Sequence, residues 1–426
     1  MGSKRRPIEW VKNALIALLT LSAAGLLTMT PLVRDSGLLE LLRPLPPEGG
    51  NPAGSDQVGA VLPARLAVYR DGARLGLQYD DGRMEEQFSA FIPLLGDALA
   101  GAGEPKPMKE QAWRDSLRRP GVYFDFSGDV PLAALGHWLG GGEGCALAAS
   151  ARRVVLAAGE EDSVLLCWQD AEDGAFYACP TPLSHALHLE PALASASANG
   201  AYFAFEDPGL NRLLAPYTLI TEGDPEAPQY AVSAPLSNAA GVEALLDALS
   251  FNSQNHAPGS AGEVYPDGTD RLVIREGGTV TYRAAQGEKY PVGLPGEPVT
   301  AAQAADGART LAERAISPLC GEARLYLISV QADKDGWRVR FGYRLGGSAV
   351  HLYDEGWAAE FQVQGGYITG FTLHLRCYTA EGGGALLLPI GKAAVMLPDL
   401  TAEKRELVIR YRDGGGQTVS PNWEAV

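Results

Sequence analysis

"RLYLISVQADKDGWRVRFGYRL", residues 324–345, decides the fold class. Two runs of alternating apolar and polar residues flank a short polar turn at Asp335-Gly336, the pattern of an antiparallel hairpin. A helical stretch, "TAAQAADGARTLAERAI", stands in front of it. "HLYDEGWAAEFQVQGGYITGFTLHLRCYT" and "ELVIRYRDGGG" follow, with a further turn at Gly365-Gly366. Strands that run together behind a helix predict an α+β fold with antiparallel sheets, because a parallel sheet needs regular βαβ alternation.

The same pattern extends toward the N-terminus. "RLAVYRDGARLGLQYD" is a hairpin about Asp71-Gly72, and "RMEEQFSAFIPLLGDALAGAG" places Met84, Phe88, Phe91, Leu94, Leu95 and Leu99 at helical spacing. "KEQAWRDSLRRP" and "VPLAALGHWLGG" read as helices. "GVYFDFSG" and "GAYFAFEDP" read as strands, and residues 152–181 as three strands separated by acidic turns. "GVEALLDALSF" is helical, and "EVYPDGTDRLVIREGGTVTYRA" gives strands joined at Gly277-Gly278. The chain divides on this reading into modules at 65–216, 217–298 and 299–426.

Residues 41–64 are rich in Pro and Gly and lack a period, so 34–64 reads as a tether. Ahead of it lies "WVKNALIALLTLSAAGLLTMTPLV", residues 10–33. Its uncharged core, residues 13–33, would span about 31 Å as a helix, the thickness of a bilayer core. It is longer than a signal-peptide apolar region and ends without a small-x-small cleavage site. Lys4, Arg5, Arg6 and Lys12 place residues 1–9 in the cytoplasm by the positive-inside rule, and Trp10 suits the interfacial belt. The expectation is a retained single span at the cell membrane with an extracytoplasmic body. Ser22, Ala23, Ala24 and Gly25 form a small-residue patch that allows close helix approach in lipid, and Thr20, Thr28 and Thr30 can hydrogen-bond across helices or to their own backbone.

The chain of 426 residues carries a net charge of −16. An acidic body repels phosphate backbones, which argues against nucleic acid. Five cysteines with no CxxC argue against a zinc site or a disulfide framework; one pair, Cys167 with Cys179, is compatible with an extracytoplasmic body. HExxH, GxSxG and the phosphate-binding GxxxxGK[ST] are all absent from the sequence. His185, His188 and Glu190 in "SHALHLE" read as loop or surface residues rather than metal ligands. Asp125 and Asp129 in "YFDFSGDVP" would lie about 13 Å apart on a strand, too far for joint acid–base work unless a turn at Ser127-Gly128 folds them together. Asp125 reads instead as the polar alternate of a half-exposed strand. Tyr326, Trp337, Phe341, Tyr343 and Trp357 read as a sheet packed on the 300–316 helix, or as a peptide-binding face. No catalytic, cofactor or metal residue is assigned.

Three stretches carry a resemblance. "DALSFN" leading into "VYPDGTDRLVIREGGTVTYRA", "GWRVRFGYRLGGSAV" with its F-x-Y-x-x-x-G core, and "GGYITGFTLHLRCY" with the terminal "LVIRYRDGGGQTVSPNWEAV" resemble the YycH/YycI family. These are membrane-anchored accessory proteins of a two-component system that controls cell-wall metabolism. The last module also resembles a PepSY-like helix-plus-sheet unit. The resemblance implies a non-catalytic regulator whose span packs beside a sensor histidine kinase, with the outer domains contacting the kinase or a sibling accessory protein. The alternative is a tethered envelope protein that captures a peptide or wall component on its aromatic sheet.

Overall fold

The computed structural model describes residues 61–426 apart from 142–143, 222, 224, 286–287, 295–296, 354 and 397–404. The span at 10–33, its Ser22, Ala23, Ala24 and Gly25 patch, the cytoplasmic tip and most of the tether lie outside the described residues. Among the described residues no helix is long and apolar enough to cross a membrane.

The first half builds one seven-stranded antiparallel sheet. In chain order its parts are β1 (Arg65–Arg70), β2 (Ala73–Gln78), α1 (Asp81–Ser89), α2 (Ile92–Ala100), β3 (Lys106–Met108), α3 (Glu110–Ser116), β4 (Gly121–Pro131), α4 (Leu132–Trp138), β5 (Ser150–Ala158), β6 (Ser163–Asp170) and β7 (Phe176–Ser184). The strand order is β2-β1-β4-β5-β6-β7-β3. Asp71 and Gly72 both have positive φ, the conformation a two-residue hairpin turn requires, so the chain reverses where the Asp-Gly pair stands. The single apolar run over 84–99 is two helices, broken at Ala90-Phe91 just before Pro93.

Alternation along β4 sorts its side chains between two faces. Val122, Phe124 and Phe126 join the core under α1, α2 and α4. Tyr123 faces the other way, into a smaller cluster with Trp113 of α3, Cys167, Phe203 and Tyr217. That second face is covered by the pair β8 (Tyr202–Phe203) and β9 (Leu219–Ile220). Burial on both faces accounts for the unbroken buried run Gly121–Phe126 in β4.

The second half contributes β10 (Glu226–Ser233), α5 (Ala239–Ala248), β11 (Ala257–Gly259), β12 (Gly262–Asp267), β13 (Asp270–Ile274), β14 (Thr279–Arg283), α6 (Ala301–Ile316), β15 (Arg324–Asp333), β16 (Gly336–Leu345), β17 (Ser348–Leu352), β18 (Ala359–Gln364), β19 (Tyr367–His374), β20 (Cys377–Leu386), α7 (Ile390–Met396), β21 (Leu407–Asp413), β22 (Thr418–Val419) and β23 (Pro421–Ala425). Strands β11 to β14 run by way of the β14–β19 ladder into one eleven-stranded sheet with β15 to β19, β21 and β23. A boundary near residue 299 therefore falls inside a single sheet. Strand β10 lies between β20 and β22 in a separate three-stranded sheet. Among the described strands the ladders are antiparallel except for β17 with β21.

Thr300 caps α6 in a reciprocal box with Gln303. The buried stripe of α6, Ala304, Ala305, Ala308 and Ala312 with Leu311 and Ile316, is short enough to let the helix lie close on β15, β16 and β18. The two halves meet where a bulge in β4 touches β15: a Cβ at Gly128 would fall 2.0 Å from the Leu327 carbonyl oxygen. Only glycine fits there. Gly128→Val is expected to cost about 2–3 kcal/mol, read as a lower denaturant midpoint; an unchanged midpoint would disprove the close approach.

Val61, Leu62 and Ala64, the end of the stretch read as tether, are buried. Leu62 accepts a hydrogen bond from Arg344 at 2.8 Å, and Ala64 donates to the Asp125 carbonyl at 2.7 Å. Composition marked them as linker, but their apolar side chains find a core.

Candidate functional site

Asp125 is the polar residue of an aromatic strand, and it is 0% exposed. The expectation of a half-exposed position is wrong, because the face that Asp125 shares with Tyr123 is itself covered. The ladder sets Arg65 of β1 directly opposite it on one side and Arg153 of β5 on the other. Arg65 donates to Asp125 Oδ2 at 2.9 Å. Arg152, displaced by an irregularity in β5, donates to Oδ1 at 2.8 Å and to Oδ2 at 3.0 Å. The Ser127 amide donates to Oδ1 at 2.9 Å. That bond fits the turn at Ser127, whose φ is +64°.

The fifth member comes from the far end of the chain. Glu406, just ahead of β21, is buried and accepts from Arg65, from Arg152 at 2.7 Å and from Arg153 at 3.2 Å. Two carboxylates and three guanidiniums thus join β1, β4 and β5 to a residue 341 positions from Arg65. Burial pushes the Asp125 carboxyl up, but Arg152, Arg65 and Arg153 outweigh it and hold the group well below the usual carboxylate range. Glu406 is lowered by the same three cations against the same burial.

A second buried pair repeats this chemistry. Arg376 grips Asp413 in a fork at 2.8 and 3.0 Å, with Tyr378 donating to the same carboxylate at 2.9 Å. It fixes the end of β21 to the start of β20.

Such an arrangement clamps; it does not transfer protons. Both oxygens of Asp125 are occupied by charged donors. Asp129 is half-buried and its carboxyl is raised by that burial. The cavity beside the cluster, bounded by Arg65, Tyr79, Arg152 and Tyr326, has a volume of about 40 Å³, room for two or three waters.

The other sequence candidates separate. His188 and Glu190 are exposed and His185 is half-buried; His188 Nδ1 accepts from the Ser184 amide, and among the described residues no three potential ligands are grouped to hold a metal. Phe341 and Tyr343 are 1% exposed and belong to the core, as the packed-sheet alternative expected. Trp337 is half-buried and donates to the Val299 carbonyl at 2.7 Å. Cys167 and Cys179 sit on neighbouring strands but on opposite faces, one in each core cluster, so they cannot bond. Burial pushes the Cys167 thiol up to about 12.

No protein-family model matches the chain, and no curated protein matches its sequence. A solved structure does: YycH from Bacillus subtilis aligns with a TM-score of 0.53 over 87% of this chain and 94% of that one, at 10% identity. The fold is YycH-like. The likeness speaks for the YycH side of the YycH/YycI resemblance and not for the YycI side. An uncharacterized protein from Eubacterium rectale aligns at a TM-score of 0.30 and 13% identity over 46% of this chain and 76% of that one, too low to argue from.

Proposed function

We propose that the chain is a non-catalytic, membrane-anchored regulator of a sensor histidine kinase in a two-component system controlling cell-wall metabolism. The observation that carries this reading is the YycH-like fold over 87% of the chain. Two features support it. The buried carboxylates are committed to arginines and serve to hold elements together. The segment 10–33 has the length and basic flank of a single span, with the N-terminus cytoplasmic and the body outside. In this reading the span packs beside the kinase through Ser22, Ala23, Ala24 and Gly25, and the body contacts the kinase or a sibling accessory protein. The last module, α6 laid on antiparallel strands, is taken as PepSY-like.

Deletion of the chain from its host tests the proposal. Transcription from promoters under the wall-metabolism response regulator should change several-fold and be restored by the full-length chain. Unchanged transcription would refute it.

A further inference from the structure

A cavity lies in the first half, apart from the charge cluster. It opens between the end of α2, the segment leading into β5, and strands β6 and β7, with a volume of about 420 Å³. That is within the range of small-molecule sites, roughly 300–1,000 Å³. Its apolar wall includes Pro105 and Leu147, and on one side Trp168 and Tyr177, cross-strand partners that stack on each other with ring centres 5.8 Å apart.

Trp168 lines the cavity, is 1% exposed, and its indole N–H has no hydrogen-bond partner. A buried indole normally finds one. The charged residues of the lining are both acidic. Glu104 is exposed at the rim. Asp170 is half-buried; its Oδ1 accepts from the Glu172 and Asp173 amides at 2.9 and 3.3 Å, and its Oδ2 makes no hydrogen bond among the described residues. Among the described residues no lysine or arginine borders the cavity.

We propose that this cavity binds an organic cation: a protonated or quaternary amine carried on an apolar body. The apolar wall takes the body, the half-buried Tyr177 ring favours a cation over a neutral group, and Glu104 with Asp170 supply the opposite charge. An acceptor atom on the ligand would give the Trp168 N–H its partner. The site involves neither the anchor nor the clamp, so it stands or falls independently of the kinase reading.

(2-Phenoxyethyl)trimethylammonium and 2-phenoxyethanol, which share a phenyl ether with an acceptor oxygen and differ in charge, are the probes. Each is titrated by ligand-observed NMR into the full chain held in lipid nanodiscs, with empty nanodiscs subtracted. The cation should bind about tenfold or more tightly than the alcohol. Glu104→Gln, at an exposed position, should reduce that preference, and Glu104→Gln with Asp170→Asn should erase it. Leu147→Trp, which fills the cavity, should abolish binding of both probes. Equal binding of the two probes, a preference unchanged in the carboxylate variants, or no cation binding at about 10 mM would each overturn the proposal.

Discussion

Asp125→Ala is expected to destabilise the protein by about 3–5 kcal/mol at pH 7, because it leaves three guanidiniums in a buried site with one carboxylate between them. The cost measures an uncompensated charge rather than the net worth of the cluster. Replacing a whole buried ion cluster by apolar side chains of similar volume is often neutral or stabilising. Equilibrium unfolding in urea reads the difference directly. The pH dependence has a definite sign. Asp125 and Glu406 are both lowered in the folded protein. Their stabilisation is therefore fully present above the unfolded values, about 4, and is lost as pH falls through the folded ones. The gap between wild type and Asp125→Ala should be constant from about pH 7 to pH 5 and narrow below about pH 4. A gap that widened on acidification would contradict the assignment of charge. Glu406→Ala should behave alike, since it removes the only member of the cluster contributed by the second half of the chain.

In the proposed regulator, residues 10–33 form the contact with the kinase. Exchange of residues 10–33 for an unrelated apolar helix of equal length is expected to abolish regulation while leaving the body folded and anchored. Small residues permit backbone contact between helices in lipid, whereas larger ones hold helices apart. The narrower change, Ala23→Leu with Gly25→Leu, should reproduce most of the loss if the Ser22–Gly25 patch is the contact face. Circular dichroism and membrane fractionation establish that the variants are folded and inserted, and a kinase-dependent reporter gives the output. Full regulation by the exchanged chain would reduce the span to a tether and place the contact in the body.

Much of the architecture is legible in local pattern. Hairpins form at Asp71-Gly72 and Gly365-Gly366, where two successive residues take positive φ. The helix at 301–316 follows its Thr300 cap. The turn after β15 falls on Lys334-Asp335, one residue ahead of the expected Asp-Gly, because the ladder closes at Asp333 with Gly336. What local pattern does not contain is strand partnership. Nothing about "TVTYR" announces that it pairs with a strand ninety residues on, and that pairing makes a continuous sheet of stretches that read as separate modules. The charge cluster was hidden for the same reason. Period-2 alternation places Asp125 on the face opposite Phe124 but is silent on what covers that face. The missing information lay in Arg152-Arg153 and in Glu406, each of which reads as surface charge in its own segment. An aspartate flanked by aromatics within an unbroken apolar strand was the available signal.

The proposed function is the regulation of a sensor histidine kinase by this chain. The most direct measurement is autophosphorylation of the wall-metabolism sensor kinase of the same cell, reconstituted in proteoliposomes with and without the full-length chain. The rate should change several-fold as the chain is titrated to saturation, and Asp125→Ala should weaken the effect in proportion to the fraction unfolded. A rate that stays the same at every ratio of the two proteins would rule out direct regulation of the kinase by this chain.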